Sequence, residues 1–178
     1  MTRATAKDAA FADTLKARLR EVYFYFRRLG VGPYVAEDLA QDTFVVAWQN
    51  LHKVSDDGIV RSWLYGIAYR RYLQHRDRMK AARIVQISEQ IEADPAHDPG
   101  NDQSQTCRAV RDAVLSLAPK YRHPLVLVYW QDLSYQEAAH ALSLRMGTFA
   151  WRVRRALKLV RERLAEKEVA DDATSSAT

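Results

Sequence analysis

The stretch LSYQEAAHALSLRMGTFAWRVRRALKLVRERL, residues 133–164, constrains the fold more than any other part of the chain. Ser134 followed three residues later by Glu137 is a capping box, so a helix is expected to start there, with Leu133 and Ala138 placed to staple its entry. The run of alanines and leucines ends at Leu142. Ser143–Gly147 has no helical period and ends in glycine, which marks a turn. A second, longer helix is expected from about Thr148. At roughly 100° per residue, Phe149, Val153, Ala156, Leu157, Val160 and Leu164 fall on one arc. Trp151, Arg154, Arg155, Lys158 and Arg161 fall on the opposite arc. One face is a core stripe and the other is cationic.

A short helix, a tight turn and a basic helix form the helix-turn-helix plan for the DNA major groove. Between Arg145 and Arg163 lie seven basic residues and one acid, Glu162. A basic helix face is most often a solvated one. Solvated faces mix signs, however, because i,i+4 Glu–Lys pairs stabilise them, and this face does not. Trp151 on the polar side has no packing role in a lone domain. Phosphates need the charge, and arginine can also read guanine edges. DNA binding by this helix is therefore expected.

Composition narrows the class. The 178 residues suit one large or two small domains, and 48% hydrophobic content is ample for a core. The net charge of +5 and the pI of about 9.4 suit a polyanionic partner. Cys107 is the one cysteine, so no intramolecular disulfide can form and a reducing, cytoplasmic location is expected. The N-terminal stretch is charged throughout, so no signal peptide is expected, and no apolar run approaches a membrane span. The scattered glycines build no phosphate cradle. The histidines, His52, His75, His97, His123 and His140, have no metal-binding spacing with Cys107 and no catalytic partner pattern. No metal, no cofactor and no catalytic residue is expected, and an enzyme is disfavoured.

Upstream, Phe11–Leu29 repeats Leu15, Leu19, Val22 and Phe26 at helical spacing until Gly30, Gly32 and Pro33 stop it. Tyr34–Leu51 is expected to be a second helix that buries Val35, Ala36, Leu39, Thr43, Val46, Ala47 and Leu51. Its other side carries Asp38, Gln41, Asp42, Val45 and Gln49, with Trp48 at the margin. Asp38 and Asp42 near the start suit the helix dipole. Val45 and Trp48 among acids are better explained by a protein contact. A loop with turn residues, 52–60, precedes a third helix, Arg61–Lys80, which is not cleanly amphipathic. Leu64, Ala68 and Tyr72 share one arc, and Trp63, Ile67, Arg70, Arg71, Gln74 and Arg78 share another. Aromatics among arginines suit single-stranded nucleic acid. They suit equally a core edge with snorkelling arginines.

Residues 83–107 hold five acids and one base, with prolines and a glycine, and read as a flexible acidic linker. Residues 1–82 carry 14 basic and 9 acidic residues, and residues 108–168 carry 12 and 6. Two basic units on a tether suggest two grips on one polyanion. In the second unit Cys107–Leu117 is expected to be helical, Pro119 to interrupt, and His123–Gln131 to form the buried central helix. The end of the chain, including a tail at 169–178, is expected to fray. The fold class is therefore all-α: two small helical domains joined by a flexible linker.

AEDLAQDTFVVAWQNL followed by RSWLYGIAYRRYL resembles conserved region 2 of bacterial sigma-70 factors. LSLAPKYRHPLVLVYWQDLSYQEAAHALSLRMGTFAWRVRRALKLVRERL resembles their region 4. Two such regions on one short linker are the layout of the extracytoplasmic-function class, and the resemblance covers about residues 11–165. It implies a three- to four-helix region 2, residues 1–82, and a helix-turn-helix region 4, residues 108–168. It implies a transcription initiation factor, monomeric when free, that binds core RNA polymerase and directs it to promoters. By resemblance, Asp38, Leu39, Gln41, Asp42, Val45 and Trp48 would meet the clamp helices of the beta-prime subunit, and region 4 the beta flap. His52, Lys53, Trp63, Ile67, Arg70, Arg71, Gln74 and Arg78 would capture and melt the minus-10 element. Arg145, Thr148, Trp151, Arg152, Arg154, Arg155 and Lys158 would meet the minus-35 element. An anti-sigma factor that covers the polymerase-binding surfaces is the implied regulator.

The chain departs from the family pattern where Ser143 stands for the usual turn glycine, Ala150 for a basic residue, Trp151 for a small serine and Arg70 for asparagine. Two other readings stay open: a stand-alone helix-turn-helix regulator with an N-terminal dimerisation domain, and a sigma-like adaptor that only binds proteins.

Overall fold

The computed structural model describes residues 18–50, 60–83 and 105–175. Helix α1 covers residues 18–28 and stops where the sequence requires. Gly30 adopts φ 86°, which turns its own N–H onto the Arg27 carbonyl (3.0 Å) and that of Val31 onto the Phe26 carbonyl (3.2 Å). This is a Schellman turn, and glycine enters it without a Cβ penalty. Helix α2, Pro33–Gln49, begins on a proline at N1, a position that has no intrahelical N–H bond to lose. Helix α3 is Val60–Arg83, and α4, α5, α6 and α7 are Gln105–Leu115, Pro119–Tyr129, Tyr135–Ala141 and Met146–Ser175. No strand occurs among the described residues, and the fold is all-α with the two expected helical units. Residues 11–17, the 52–59 loop and linker residues 84–104 lie outside the described residues.

Most boundaries shift by a few residues, and the larger differences fall in α5 and α7. Helix α5 starts at Pro119 rather than His123, because Pro119 takes the N1 position and opens the helix instead of interrupting it. Pro124 then lies inside the helix, close enough to its start to forfeit one early bond without ending it. Helix α7 starts at Met146 and takes Gly147 into its first turn. It also continues to Ser175, through residues expected to fray. Alanine, glutamate and lysine there are good helix formers, and extending an existing helix is far easier than nucleating one. Lys167 adds an ion pair at 3.9 Å to Asp112 on α4.

The two units do not stand apart. Val22, Phe26, Leu64, Tyr65 and Ala68 from the first belong to one buried cluster with Leu125, Leu127, Ala138, Phe149 and Val153 from the second. Helix α3 lies in the middle, packing against α2 on one side and α6 on the other. That is why its sequence shows no clean apolar stripe: Leu64, Ala68 and Tyr72 are buried, and so are Ser62, Tyr65 and Ile67. Gly66 permits the close approach, since a Cβ there would stand 3.3 Å from the carbonyl oxygen of Ala141 on α6.

Polar groups thread this seam. The Tyr25 hydroxyl meets His123 Nδ1 at 2.9 Å. Tyr65 donates to Gln131 Oε1 at 2.6 Å, and Arg61 donates to the Gln131 carbonyl. Arg122 donates to the carbonyls of Leu29 (2.6 Å) and Leu117 (2.9 Å) and to that of Leu115, so one guanidinium holds the C-terminal ends of α1 and α4. Tyr69 and Tyr72 set their rings edge-on to His123, with centroids 4.9 and 4.5 Å away. Burial, with Arg122 and Arg76 nearby, lowers the His123 imidazole to about 3 from its ordinary 6.5.

Above pH 6.5 an exposed imidazole is neutral too, and the seam has its full strength. As pH falls from 6.5 toward 3, the exposed form gains a proton that the buried form refuses, so the packed state loses stability. Urea unfolding at constant ionic strength should show a loss of about 2 kcal/mol between roughly pH 6.5 and 5, from about 1.4 kcal/mol per unit. His123→Gln should remove most of that slope. His75, lowered by burial and then by Arg78, leaves a smaller slope of the same sign.

Candidate DNA and polymerase interfaces

The helix-turn-helix is built by two local devices. Ser134 caps α6: the Glu137 N–H donates to Ser134 Oγ at 3.2 Å, and the Ser134 N–H donates to Glu137 Oε2 at 2.8 Å. The hydrogen bond from the Ser134 side chain holds the Glu137 carboxyl below the usual carboxylate range. At the other end Ser143 adopts φ 53°. Its N–H reaches the His140 carbonyl at 3.0 Å, and that of Leu144 reaches the Ala139 carbonyl at 2.9 Å. This is a second Schellman turn with serine in the position that favours glycine.

The turn delivers α7 with its faces sorted. Phe149, Val153 and Ala156 are fully buried, with Tyr135 edge-on to Phe149 at 5.5 Å. Arg145, Thr148, Trp151, Arg154, Arg155 and Lys158 are exposed, and Arg152 is half-buried. Lys158 meets Glu162 at 3.8 Å, and the rest of the arc is cationic. All seven residues expected to meet the minus-35 element therefore lie on α7 or in the turn before it, none of them in the core.

The first unit brings two expected sets together. A cleft of about 410 Å³ between α2 and α3 is lined by Asp38, Gln41 and Asp42 on one wall and Arg71, Gln74, His75 and Arg78 on the other. Arg71 donates to Gln74 Oε1 at 2.9 Å. Asp38 and Asp42 make no ion pair among the described residues, so the carboxylates stay open to an incoming group. Beyond them Val45 and Trp48 are about half exposed, and Trp48 stacks on Phe44 at 6.4 Å. Tyr34, in the first turn of α2, is 84% exposed and adds another apolar side chain to the solvent side of the helix start. His75 was missed, since only the α2–α3 packing puts it in the cleft.

Two expected contact residues are corrected. In the packed form Leu39 and Ile67 are 7% and 3% exposed, so neither presents its side chain to a partner while the two units are together. Leu39 is buried, as its helical period requires, and lines the cleft between α2 and α3. Ile67 is covered because α3 packs on two sides. Trp63 is half-buried, Arg70, Gln74 and Arg78 are exposed, and Arg71 is half-buried. His52 and Lys53 lie outside the described residues. No group of three or more metal-ligating side chains occurs among the described residues, and no helix there is long and apolar enough to cross a membrane.

Residues 15–81 match sigma-70 region 2, and residues 107–160 match sigma-70 region 4. The chain is 28% identical over 158 residues to the ECF RNA polymerase sigma factor SigE of Mycolicibacterium smegmatis, covering 86% of this chain and 61% of that protein. It is 29% identical over 163 residues to the RNA polymerase sigma factor YlaC of Bacillus subtilis, covering 88% and 94%. Among solved structures it resembles the sigma factor RpoE bound to the anti-sigma factor NepR from Bartonella quintana, with a TM-score of 0.72 at 25% identity, over 88% of this chain and 97% of that one. It also resembles CnrH in complex with the cytosolic domain of CnrY, with a TM-score of 0.64 at 25% identity, over 94% and 93%. The chain belongs to the sigma-70 family of RNA polymerase sigma factors, in its extracytoplasmic-function class. It acts as a specificity factor in transcription initiation and is not an enzyme.

The helix-turn-helix geometry yields a pair of opposite expectations. Ser134→Ala, which removes the cap, should cost about 1 kcal/mol. Ser143→Gly, which relieves the left-handed backbone, should gain about 0.5–1 kcal/mol. Thermal unfolding of the two variants beside the native chain checks both signs.

Proposed function

We propose that this sigma factor reads the minus-35 element with the exposed arc of α7. It captures the minus-10 element with the solvent side of α3 and docks on core polymerase through the outer face of α2. The observation that carries this reading is the sorting of α7: a helix with one face wholly in the core carries an almost unmixed cationic arc on the other. Arg145, Thr148, Trp151, Arg152, Arg154, Arg155 and Lys158 supply base and phosphate contacts. Trp63, Arg70, Arg71, Gln74 and Arg78, with His52 and Lys53 from the preceding loop, supply the minus-10 contacts. Asp38, Gln41, Asp42, Val45 and Trp48 supply the clamp-helix contact, their open carboxylates beside apolar side chains suiting a basic amphipathic partner. The apolar second unit also meets the beta flap. The protein works in the cytoplasm, where polymerase and DNA are.

On the promoter the two units must separate. Elements centred about 25 base pairs apart lie roughly 85 Å apart at about 3.4 Å per pair. A packed body of this length is about 40 Å across. The closed arrangement is then a stored form, and an anti-sigma factor, such as the one bound to the solved RpoE, is the partner that would hold the chain away from polymerase.

Run-off transcription with bacterial core polymerase on the organism's own promoter fragments tests the reading. Arg154→Ala or Arg155→Ala should lower promoter-specific transcripts, with polymerase binding unchanged and the salt slope of DNA binding reduced by about one. Normal transcription by both variants would remove the assignment of α7. Asp42→Ala or Trp48→Ala should weaken polymerase association by about 1–2 kcal/mol. Unchanged polymerase affinity in both would remove the assignment of α2.

A further inference from the structure

The exposed arc of α7 contains one side chain that charge does not explain. Taking Thr148 as zero at about 100° per residue, Arg154, Lys158, Trp151 and Arg155 follow one another around the arc, with Trp151 near its middle. The buried residues Phe149, Val153, Ala156 and Val160 lie on the far side. Trp151 therefore takes no part in closing the core, which is complete beneath it. Its indole is 53% exposed. The ring is steadied: Tyr121 of α5 lies against it with centroids 6.0 Å apart, and the Lys120 ammonium sits 5.0 Å from the centre of the Tyr121 ring. A large apolar surface is thus held in place in the middle of a cationic arc, within the first two turns of the helix.

In a helix-turn-helix the N-terminal residues of the second helix meet base edges, and cations further along meet phosphates. The apolar feature that a duplex offers in its major groove is the 5-methyl group of thymine. The indole N–H can donate to acceptors on several bases, so it does not discriminate among them, whereas the methyl does. Thr148, one turn earlier on the same face, brings a second methyl to the same edge.

We propose that Trp151 is a specificity-determining residue, whose indole packs on a thymine methyl in the upstream promoter element and favours thymine at that step. This rests on the reading of α7 as the major-groove helix. Arg154, Arg155 and Lys158 supply affinity, and Trp151 supplies selection by apolar contact at a position where hydrogen-bonding side chains would select otherwise.

The test uses the full chain bound to bacterial core polymerase. Duplexes retained from a randomised upstream pool are sequenced, and each thymine in the consensus is replaced singly by deoxyuridine, which removes only the 5-methyl group. At one position deoxyuridine should lower affinity about fourfold, the worth of one buried methyl. Trp151→Ser should show no penalty there and should enrich a consensus relaxed at that step. Trp151→Phe, which keeps an aromatic face, should keep the penalty. Arg154→Ala should weaken all duplexes together. Sequence-specific retention with no deoxyuridine penalty at any thymine, or an equal penalty in native chain and Trp151→Ser, overturns this inference and leaves the α7 reading standing. Retention of no upstream duplex by the native chain, with Arg154→Ala indistinguishable from it, overturns both.

Discussion

The closed form of this protein depends on one uncharged imidazole. His123 comes from α5, and the side chains around it, Tyr25, Tyr69 and Tyr72, come from α1 and α3. A buried polar ring is costly unless its atoms are bonded. Here Tyr25 satisfies Nδ1, Nε2 has no hydrogen-bond partner among the described residues, and the rings of Tyr69 and Tyr72 pack perpendicular to the imidazole. The same seam holds Gln131 between Tyr65 and Arg61, and Arg122 across the carbonyl ends of two helices. Polar groups in such a network are strong only when their partners are in place.

The seam covers the Tyr65 and Gly66 side of α3 and the inner side of α6. It leaves uncovered the Asp38–Trp48 side of α2 and the cationic arc of α7. Under the proposed reading, packing the units together leaves the polymerase face of α2 and the minus-35 arc of α7 open. It fixes the distance between them, and a promoter asks for a longer one. Regulation of such a chain then acts on a separation of domains rather than on the shape of either surface.

Much of the site was legible because its signals are local. The capping box at Ser134 and Glu137 forms as spaced, and Ser143 takes the left-handed backbone where the family has glycine. The two arcs of α7 follow from helical periodicity alone, since a helix with one buried face must expose the other. Other features could not be read that way. Ile67 shares an arc with arginines, and only the packing of α3 on two sides decides between core edge and contact surface. Leu39 is buried as its helical period requires, yet it also lines the cleft beside Asp38 and Asp42, which only the packing of α2 on α3 creates. His123 could be placed in a helix, but its partner Tyr25 is 98 residues away. Pro119 looks like a break and is instead the first residue of a helix, a distinction set by whether the backbone before it is already helical.

Short-range chemistry in the sequence by itself determined that the chain is helical, where its helix-turn-helix begins and turns, and that one helix carries a cationic arc with a tryptophan in it. Those properties depend on residues within a turn or two of each other. Only the tertiary structure decided that the two units share one core, that α3 is buried on two sides, and that a histidine is held neutral among tyrosines. Those outcomes depend on which apolar surfaces meet across the chain, and hydrophobic burial has no direction that a local pattern could encode.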